Sequence, residues 1–269
     1  MKLDQARVLL TGASGGIGQA MQQALLQAGA QVLGVSRHPQ TSSQAQLTWL
    51  QADLTQAPDL ARVASAAAEW RANVLVHAAG LPGFGALPSL SAAAISQVIQ
   101  ANLVTPMLLT QALLPYLQSL SKAQVVFVGS ALGRIGLPGF SVYGASKAGL
   151  HGFAEALRRE LAGSSVCIQT LAPRSTRTSF NSAATERYNQ ATGTTADTPQ
   201  TVAQALLQLL EGEAAEQFIG WPERLAVRLN GALGPLLDSS FTKHRQALAQ
   251  LATATTTDTT TPSLQGHQP

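Results

Sequence analysis

Short apolar runs alternate with longer stretches of helical composition along most of the chain. The apolar runs have the length and composition of buried β-strands and lie at residues 7–10, 31–35, 47–50, 73–78, 124–129 and 166–171. Helices are predicted between them, notably at 17–28, 58–70 and 143–161. This alternation predicts an α/β fold built on a doubly wound parallel sheet, in which ligands bind at the carboxyl ends of the strands.

The longest predicted helix, residues 91–120, is apolar on more than one face. A helix with two apolar faces is buried on both, so we expect one face to pack on the sheet and the other on a partner subunit. The expected assembly is a homodimer or a homotetramer. Pro106 predicts a bend within this helix, because proline lacks a backbone N–H.

The pattern changes after Pro173. Residues 178–198 are polar and have no clear period, which predicts a mobile loop over the ligand site. A helix at 200–210 and a strand at 217–221 are predicted to complete a single domain over residues 1–221. Residues 222–251 form an amphipathic C-terminal extension, predicted to be helical, and the Thr-rich tail 252–269 is predicted to be disordered.

Composition narrows the classes of function. The chain has 269 residues, of which 45% are hydrophobic and 12% are charged, and this suits a globular protein with a large core. The single cysteine excludes an internal disulfide and a cysteine-based metal cluster, and we expect no metal site. The net charge of +3 comes without a basic stripe, so nucleic-acid binding is not expected. With no signal peptide and no apolar run of about 20 residues, a cytoplasmic location is expected.

A glycine-rich turn, Thr-Gly-Ala-Ser-Gly-Gly-Ile-Gly at 11–18, separates the first strand from the first helix. Glycines let the backbone approach a pyrophosphate closely, and the helix N-terminus supplies N–H groups and a favourable dipole. A strand before the turn and a helix after it favour a dinucleotide site over a simple tight turn. The candidate cofactor contacts in this turn are Gly12, Ser14, Gly16, Ile17 and Gly18.

The spacing Thr-Gly-x3-Gly-x-Gly resembles that of the short-chain dehydrogenase/reductase family, and the resemblance extends from about Leu3 to Trp221. It implies a Rossmann-like catalytic domain that binds NAD(P). At the end of the second strand, an acidic residue would select NAD, but this chain has Ser36 followed by Arg37. A small residue followed by a guanidinium suits the 2′-phosphate of NADP(H), although a plain surface arginine is the competing interpretation.

Further cofactor contacts are implied by the resemblance. They are Asp53, Leu54, Ala79, Gly80 and Pro173. Asp53 matches the acidic residue that the family places near the adenine ring, and a helix N-cap is its alternative role. The segment His-Ala-Ala-Gly at 77–80 replaces the family's Asn-Asn-Ala-Gly. Arg174 stands where the family usually has glycine, beside the nicotinamide end of the site.

Tyr143 and Lys147 carry the candidate chemistry. Residues four apart on a helix share a face, so the ammonium of Lys147 can lie near the phenol of Tyr143 and the cofactor ribose. A nearby cation favours the phenolate and makes the phenol a general acid/base. The resemblance implies that Ser130 polarises the substrate oxygen and that Asn102 is part of a proton relay behind Lys147.

These residues predict an NADP-dependent oxidoreductase that interconverts a carbonyl and an alcohol, with a 3-oxoacyl or other hydrophobic ketone as the candidate substrate. Two alternatives remain open: an epimerase or dehydratase that uses bound NADP transiently, and an NADP-binding regulator or scaffold. The extension at 222–251 also mixes apolar and basic residues. A peripheral membrane contact through this extension therefore competes with packing on its own subunit, which we favour.

Overall fold

The computed structural model of the chain describes residues 1–220, 227, 230, 231 and 234–258. Within these residues, seven strands form one sheet. They are β1 (Arg7–Thr11), β2 (Gln31–Ser36), β3 (Leu47–Gln51), β4 (Val74–His77), β5 (Ala123–Val128), β6 (Val166–Ala172) and β7 (Glu216–Phe218). The order across the sheet is β3-β2-β1-β4-β5-β6-β7, and every neighbouring pair is parallel. The predicted doubly wound parallel sheet is confirmed.

Helices cover both faces of this sheet. They are α1 (Gly16–Gln27), α2 (Ala57–Glu69), α3 (Ala92–Ile99), α4 (Thr105–Ser119), α5 (Ser141–Glu160), α6 (Ala183–Thr192), α7 (Pro199–Gly212) and α8 (Thr242–Asp258). Side chains that alternate along one strand face opposite layers. In β5, Val126 packs in the core under α1 and α7, whereas Phe127 packs in the core under α2, α4 and α5.

The long helical stretch Ala92–Ser119 is interrupted by a π-helical turn at Gln100–Val104. In place of a bend at Pro106, the structure has this π-helical turn, which is centred on Asn102, one turn earlier. Pro106 has no N–H to offer the Asn102 carbonyl four residues before it, which accounts for the wider turn. By length and composition alone, this stretch is long and apolar enough to cross a membrane, a test that core helices also pass. In the fold it packs on α2 and α5.

The predicted loop at 178–198 is wrong over its central part, where α6 forms. The Ser182 hydroxyl caps the first turn by accepting from the Thr185 N–H, and Gly193 ends the helix in a left-handed conformation, with φ of +72°. These local end signals outweigh the absence of a clear apolar period, because Tyr188 and Thr185 are buried against the rest of the fold.

The C-terminal extension begins in residues that lie largely outside the described range. From Gly234 it forms a 3-10 helix to Phe241 and continues as α8, which packs on α6. The disordered tail was predicted to start at residue 252, which is too early, because α8 runs to Asp258. Once a helix has formed, each added residue gains one backbone hydrogen bond, so the helix extends readily. The remaining tail residues, 259–269, lie outside the described range.

Candidate active site

The glycine turn brings three backbone segments into close contact. Gly12 has a φ of +67°, and a Cβ there would lie 2.7 Å from the Ala79 backbone. A Cβ at Gly18 would lie 2.0 Å from the Gly12 carbonyl oxygen, so only glycine fits either position. Gly15, the N-cap of α1, supplies no side-chain cap. The first N–H groups of α1 therefore face the carboxyl edge of the sheet and suit a phosphate.

Thr11, which is not among the predicted cofactor contacts, joins this turn to the end of β4. Its hydroxyl oxygen accepts hydrogen bonds from the N–H groups of Ala78 (3.1 Å) and Ala79 (3.2 Å). The bonds hold the Ala79–Gly80 segment against the glycine turn.

The residues predicted to select the cofactor lie at the end of β2. Ser36 is buried, and its hydroxyl oxygen accepts from Ser14 Oγ (3.1 Å) and from the His38 N–H (3.2 Å). Arg37, which follows, is exposed. Ser36 thus organises the turn, and Arg37 lies exposed at the surface beside it.

Asp53 follows β3 and does not cap α2, whose N-cap is Gln56. The Asp53 carboxylate instead accepts from the N–H (3.0 Å) and the hydroxyl (2.8 Å) of Thr55. The helix N-cap interpretation of Asp53 is therefore wrong. Leu54, the next residue, is buried in the core under α2.

Asn102 lies in the π-helical turn and is fully buried. Its amide binds both backbone groups of Leu81, accepting from the N–H (2.7 Å) and donating to the carbonyl oxygen (2.9 Å). It also donates to Ser146 Oγ (3.1 Å), whose hydroxyl donates to the Tyr143 carbonyl oxygen (2.7 Å). Asn102 thereby connects the loop after β4 to the helix that carries Tyr143.

The structure brings Tyr143, Ser130 and Lys147 together at the carboxyl ends of β4 and β5. Ser130 follows β5, and its hydroxyl accepts from the Leu132 N–H at 3.1 Å. It also lies close enough to the phenol of Tyr143, in the first turn of α5, to act on the pKa of that group. Lys147, 5% exposed, donates from Nζ to the Val128 carbonyl oxygen at 2.9 Å. Its Nζ lies 5.8 Å from the centre of the Tyr143 ring.

Burial dominates the electrostatics of this pair. It raises the pKa of Tyr143 to about 12, with the Ser130 hydrogen bond acting in the opposite direction. Burial also lowers the pKa of Lys147 to about 8. In this arrangement the Lys147 ammonium is directed to the Val128 carbonyl oxygen, and the effect of burial on the Tyr143 pKa is the larger one. At neutral pH the pair is a phenol beside an ammonium, so Tyr143 is an acid.

Two histidines near the site have structural partners. His77 is buried at the end of β4, contacts Thr110 Oγ1 at 2.9 Å and stacks on Phe127, and burial lowers its pKa to about 3. His151 lies under the Ser130 loop, with Nε2 3.3 Å from the Ser130 carbonyl oxygen and Nδ1 3.3 Å from Glu216. Neither lines the cavity beside Tyr143.

Arg174 forms a two-pronged ion pair with Asp197. Its Nε lies 2.9 Å from Oδ2 and its Nη2 lies 2.7 Å from Oδ1. The Asp197 backbone also bonds Ser175 and Arg177, which closes a short parallel bridge. Arg174 therefore ties the segment before α7 to the end of β6, next to Pro173, whose carbonyl oxygen accepts from the Ala131 N–H.

A cavity of about 490 Å³ opens beside Tyr143 and extends under α6 and α8. Most of its wall is apolar. The large apolar side chains that line it include Phe84, Phe140, Phe180, Leu237 and Phe241. Because Leu237 and Phe241 belong to the C-terminal extension, the described part of that extension packs on its own subunit. The sequence gives no signal for these contacts, since they join segments far apart in the chain.

Comparisons with known proteins agree with this geometry. The family model described as short chain dehydrogenase matches residues 6–189. Oxidoreductase claN of Passalora fulva is 34% identical over 78% of this chain and 97% of its own length. The 3-oxoacyl-acyl-carrier-protein reductase FabG of Vibrio cholerae is 29% identical over 80% and 93%. A short chain dehydrogenase from Burkholderia cenocepacia, solved in complex with NADP, superposes with a TM-score of 0.79 at 24% identity, covering 90% and 99%.

Proposed function

The chain belongs to the short-chain dehydrogenase/reductase family of oxidoreductases, and from that premise we propose that it uses NADP(H) to interconvert an apolar ketone and its alcohol. The observation that carries this proposal is the convergence of Tyr143, Ser130 and Lys147 at the mouth of an apolar cavity. A buried phenol beside a hydroxyl and an ammonium is suited to protonating a carbonyl oxygen.

The residues at the carboxyl edge of the sheet fit a nicotinamide dinucleotide. The uncapped N-terminus of α1 suits the pyrophosphate, and the close backbone packing at Gly12 leaves no side chain in its way. Exposed Arg37 after Ser36 suits a 2′-phosphate, and this supports NADP(H) over NAD(H). Asp53, Leu54, Ala79, Gly80 and Pro173 line the same edge in the proposal. When bound, the cofactor supplies or accepts the hydride at the substrate carbon.

The chain's own residues handle the proton and the substrate oxygen. Tyr143, neutral because burial raises its pKa to about 12, donates its proton to the oxygen as reduction proceeds. Ser130 holds that oxygen by a hydrogen bond. Lys147, cationic below its pKa of about 8, stabilises the phenolate that is left. Asn102 holds the Leu81 segment and α5 in register, so that the groups meet.

The substrate in this proposal is an apolar ketone, and 3-oxoacyl thioesters are included because FabG of Vibrio cholerae is named for such a reaction. The apolar wall beside Tyr143 favours substrates that present a hydrocarbon chain or ring next to the carbonyl. Retention of both Tyr143 and Lys147 argues against a regulator that only binds cofactor.

The test is oxidation of NADPH, followed by absorbance, with a panel of ketones, aldehydes and 3-oxoacyl thioesters. We expect turnover with NADPH, slower turnover with NADH, and a loss of about a thousandfold or more in Tyr143→Phe, which cannot donate the proton. Tyr116→Phe, a partly buried phenol away from the cavity, is the matched control and should retain full activity. Equal rates for wild type and Tyr143→Phe would overturn the proposed mechanism.

A further inference from the structure

The far end of the cavity is formed where α6, α8 and the loop before α5 meet. Tyr188 of α6 is fully buried there, and its ring contacts Phe84 and Phe140 of the apolar wall. Its hydroxyl has two partners, the Pro138 carbonyl oxygen at 2.9 Å and His244 Nδ1 of α8 at 2.8 Å. One phenol therefore joins three separate segments of the chain.

Counting protons determines which way these two bonds run. A carbonyl oxygen can only accept, so the single proton of the Tyr188 hydroxyl is donated to Pro138. The second bond then requires His244 Nδ1 to carry a proton and donate it to the Tyr188 oxygen. Burial raises the pKa of Tyr188 to about 12, so the phenol keeps its proton across the neutral range.

The other nitrogen of His244, Nε2, follows from this assignment. Burial and the nearby charge of Lys243 lower the pKa of His244 below its ordinary value, which favours the neutral ring. A neutral ring protonated at Nδ1 has a bare lone pair at Nε2 and is a hydrogen-bond acceptor there. Within the part of the chain that the structure describes, Nε2 has no hydrogen-bond partner, and His244 lines the cavity.

The described residues that line the cavity around His244 carry no charge. Lys243, next to it on α8, is exposed, donates to the Thr192 carbonyl oxygen and does not line the cavity. Among the described residues that line this end of the cavity are Thr185, Asn189 and Ser240. The cations lining the cavity, Lys147 and Arg174, belong to the other end, and Arg174 pairs with Asp197. An anionic group would therefore meet no cation among the described residues that line this end of the cavity, and it would face a lone pair at Nε2.

We infer that His244, with its tautomer set by Tyr188, is a specificity-determining residue that accepts a hydrogen bond from a hydroxyl group at the far end of the substrate. The inference deepens the proposed function and rests on it for the chemistry at Tyr143. The substrate class is then a neutral ketone or alcohol with an apolar middle and a second hydroxyl remote from the reacting carbon. A purely apolar substrate would displace water from Nε2 and leave this acceptor unpaired, and this gives the discrimination.

The tautomer is tested without any substrate, by nitrogen-15 NMR of the full chain labelled at histidine. His244→Phe identifies the His244 signals by their loss. We expect the neutral form with the proton on Nδ1 and a bare Nε2, and Tyr188→Phe should redistribute the proton between the two nitrogens. A proton on Nε2 in the wild-type protein, with or without one on Nδ1, would overturn the inference.

Specificity is tested with NADPH and a series of straight-chain methyl ketones, each paired with the ω-hydroxy ketone of equal heavy-atom count. The measured quantity is the ratio of kcat/KM for the hydroxylated and the unhydroxylated member. At the chain length that spans the cavity, we expect a ratio of about ten or more in the wild type, since a buried hydrogen bond is worth that factor. His244→Phe should bring the ratio to one or below, and Tyr188→Phe should lower it.

Gln246→Ala, an exposed position on the same helix, is the matched control and should leave the ratio unchanged. If ketones turn over but the wild-type ratio is near one at every chain length, the inference fails while the proposed function stands. If no ketone of either kind turns over, the proposed function fails, and the NMR result still decides the tautomer of His244.

Discussion

Lys147 is a buried side chain, and burial disfavours its charged form. Its Nζ has a backbone carbonyl oxygen as its hydrogen-bond partner, and burial lowers its pKa from 10.5 to about 8. The folded state therefore binds the proton less tightly than the unfolded state does. The proposed reaction uses this charge, and its effect on folding can be measured separately from catalysis.

The first prediction concerns the pH dependence of folding without cofactor. Between pH 8 and 10.5 the unfolded chain keeps the Lys147 proton and the folded chain has lost it, so this group makes the folded state more stable as pH rises. The free energy of unfolding of wild type relative to Lys147→Met should increase across this window. Tyr143 adds nothing below pH 10, because its pKa shifts upward from there to about 12.

Urea denaturation of both proteins at a series of pH values measures this difference. Lys122→Met, at an exposed lysine outside the site, serves as the control and should show no such rise. A difference between wild type and Lys147→Met that stays flat or falls over the same window would contradict the prediction.

At the scale of elements, the strands and the helices around the cofactor edge were predictable, because each carries its own signal. An apolar run of four to six residues marks each strand from β1 to β6, and the glycine turn marks the start of α1. Tyr143 and Lys147 were readable for the same reason, since four residues separate them on one helix. Pro106 correctly indicated an irregular helix, but it did not indicate that a π-helical turn would be centred on Asn102.

Helix α6 and the cavity end beneath α8 were not predictable in this way. The α6 sequence is mostly polar, and its stability comes from Tyr188 and Thr185 packing on distant segments. The bond between Tyr188 and His244 spans 56 residues of sequence, which no local period reports. The Arg174–Asp197 pair is likewise readable only once the fold has brought the two residues together.

The second prediction concerns this ion pair, which anchors the segment between α6 and α7. The two side chains are 20% and 10% exposed and meet in two-pronged geometry, so breaking the pair should cost about 2 kcal/mol of stability. Asp197→Asn should also raise KM more than it lowers kcat, because the loosened segment borders the cavity rather than the reacting atoms. Chemical denaturation and steady-state kinetics measure the two effects.

Arg159→Gln provides the matched control, since it breaks an ion pair with Glu155 that lies at the surface. Exposed pairs contribute about 0–1 kcal/mol, and this one is remote from the cavity, so KM should not change. An Asp197→Asn variant with wild-type KM and stability would show that the anchor has no part in forming the cavity.

At the scale of the whole molecule, the two-faced helix predicted from sequence leaves part of its apolar surface uncovered. Leu108 of α4 is 41% exposed, although Leu109 beside it is fully buried in the core under α2, α4 and α5. On α5, which packs against the π-helical turn through Gly149 and Leu103, Gly152 is open to solvent. An exposed leucine on α4 and an open glycine on α5 are each suited to helix–helix contact between two copies of the chain.

The last prediction is that these two helices carry the contact between subunits of a homodimer or homotetramer. Leu108→Glu places a charge in that contact, and desolvating an unpaired carboxylate there would disfavour association. Light scattering on a size-exclusion column should find the wild type as a dimer or tetramer and Leu108→Glu as smaller species. Leu87→Glu changes a leucine that is 57% exposed on a different surface, and it should leave the assembly intact. A monomeric wild type, or dissociation by both substitutions alike, would place the apolar surface of α4 outside any subunit contact.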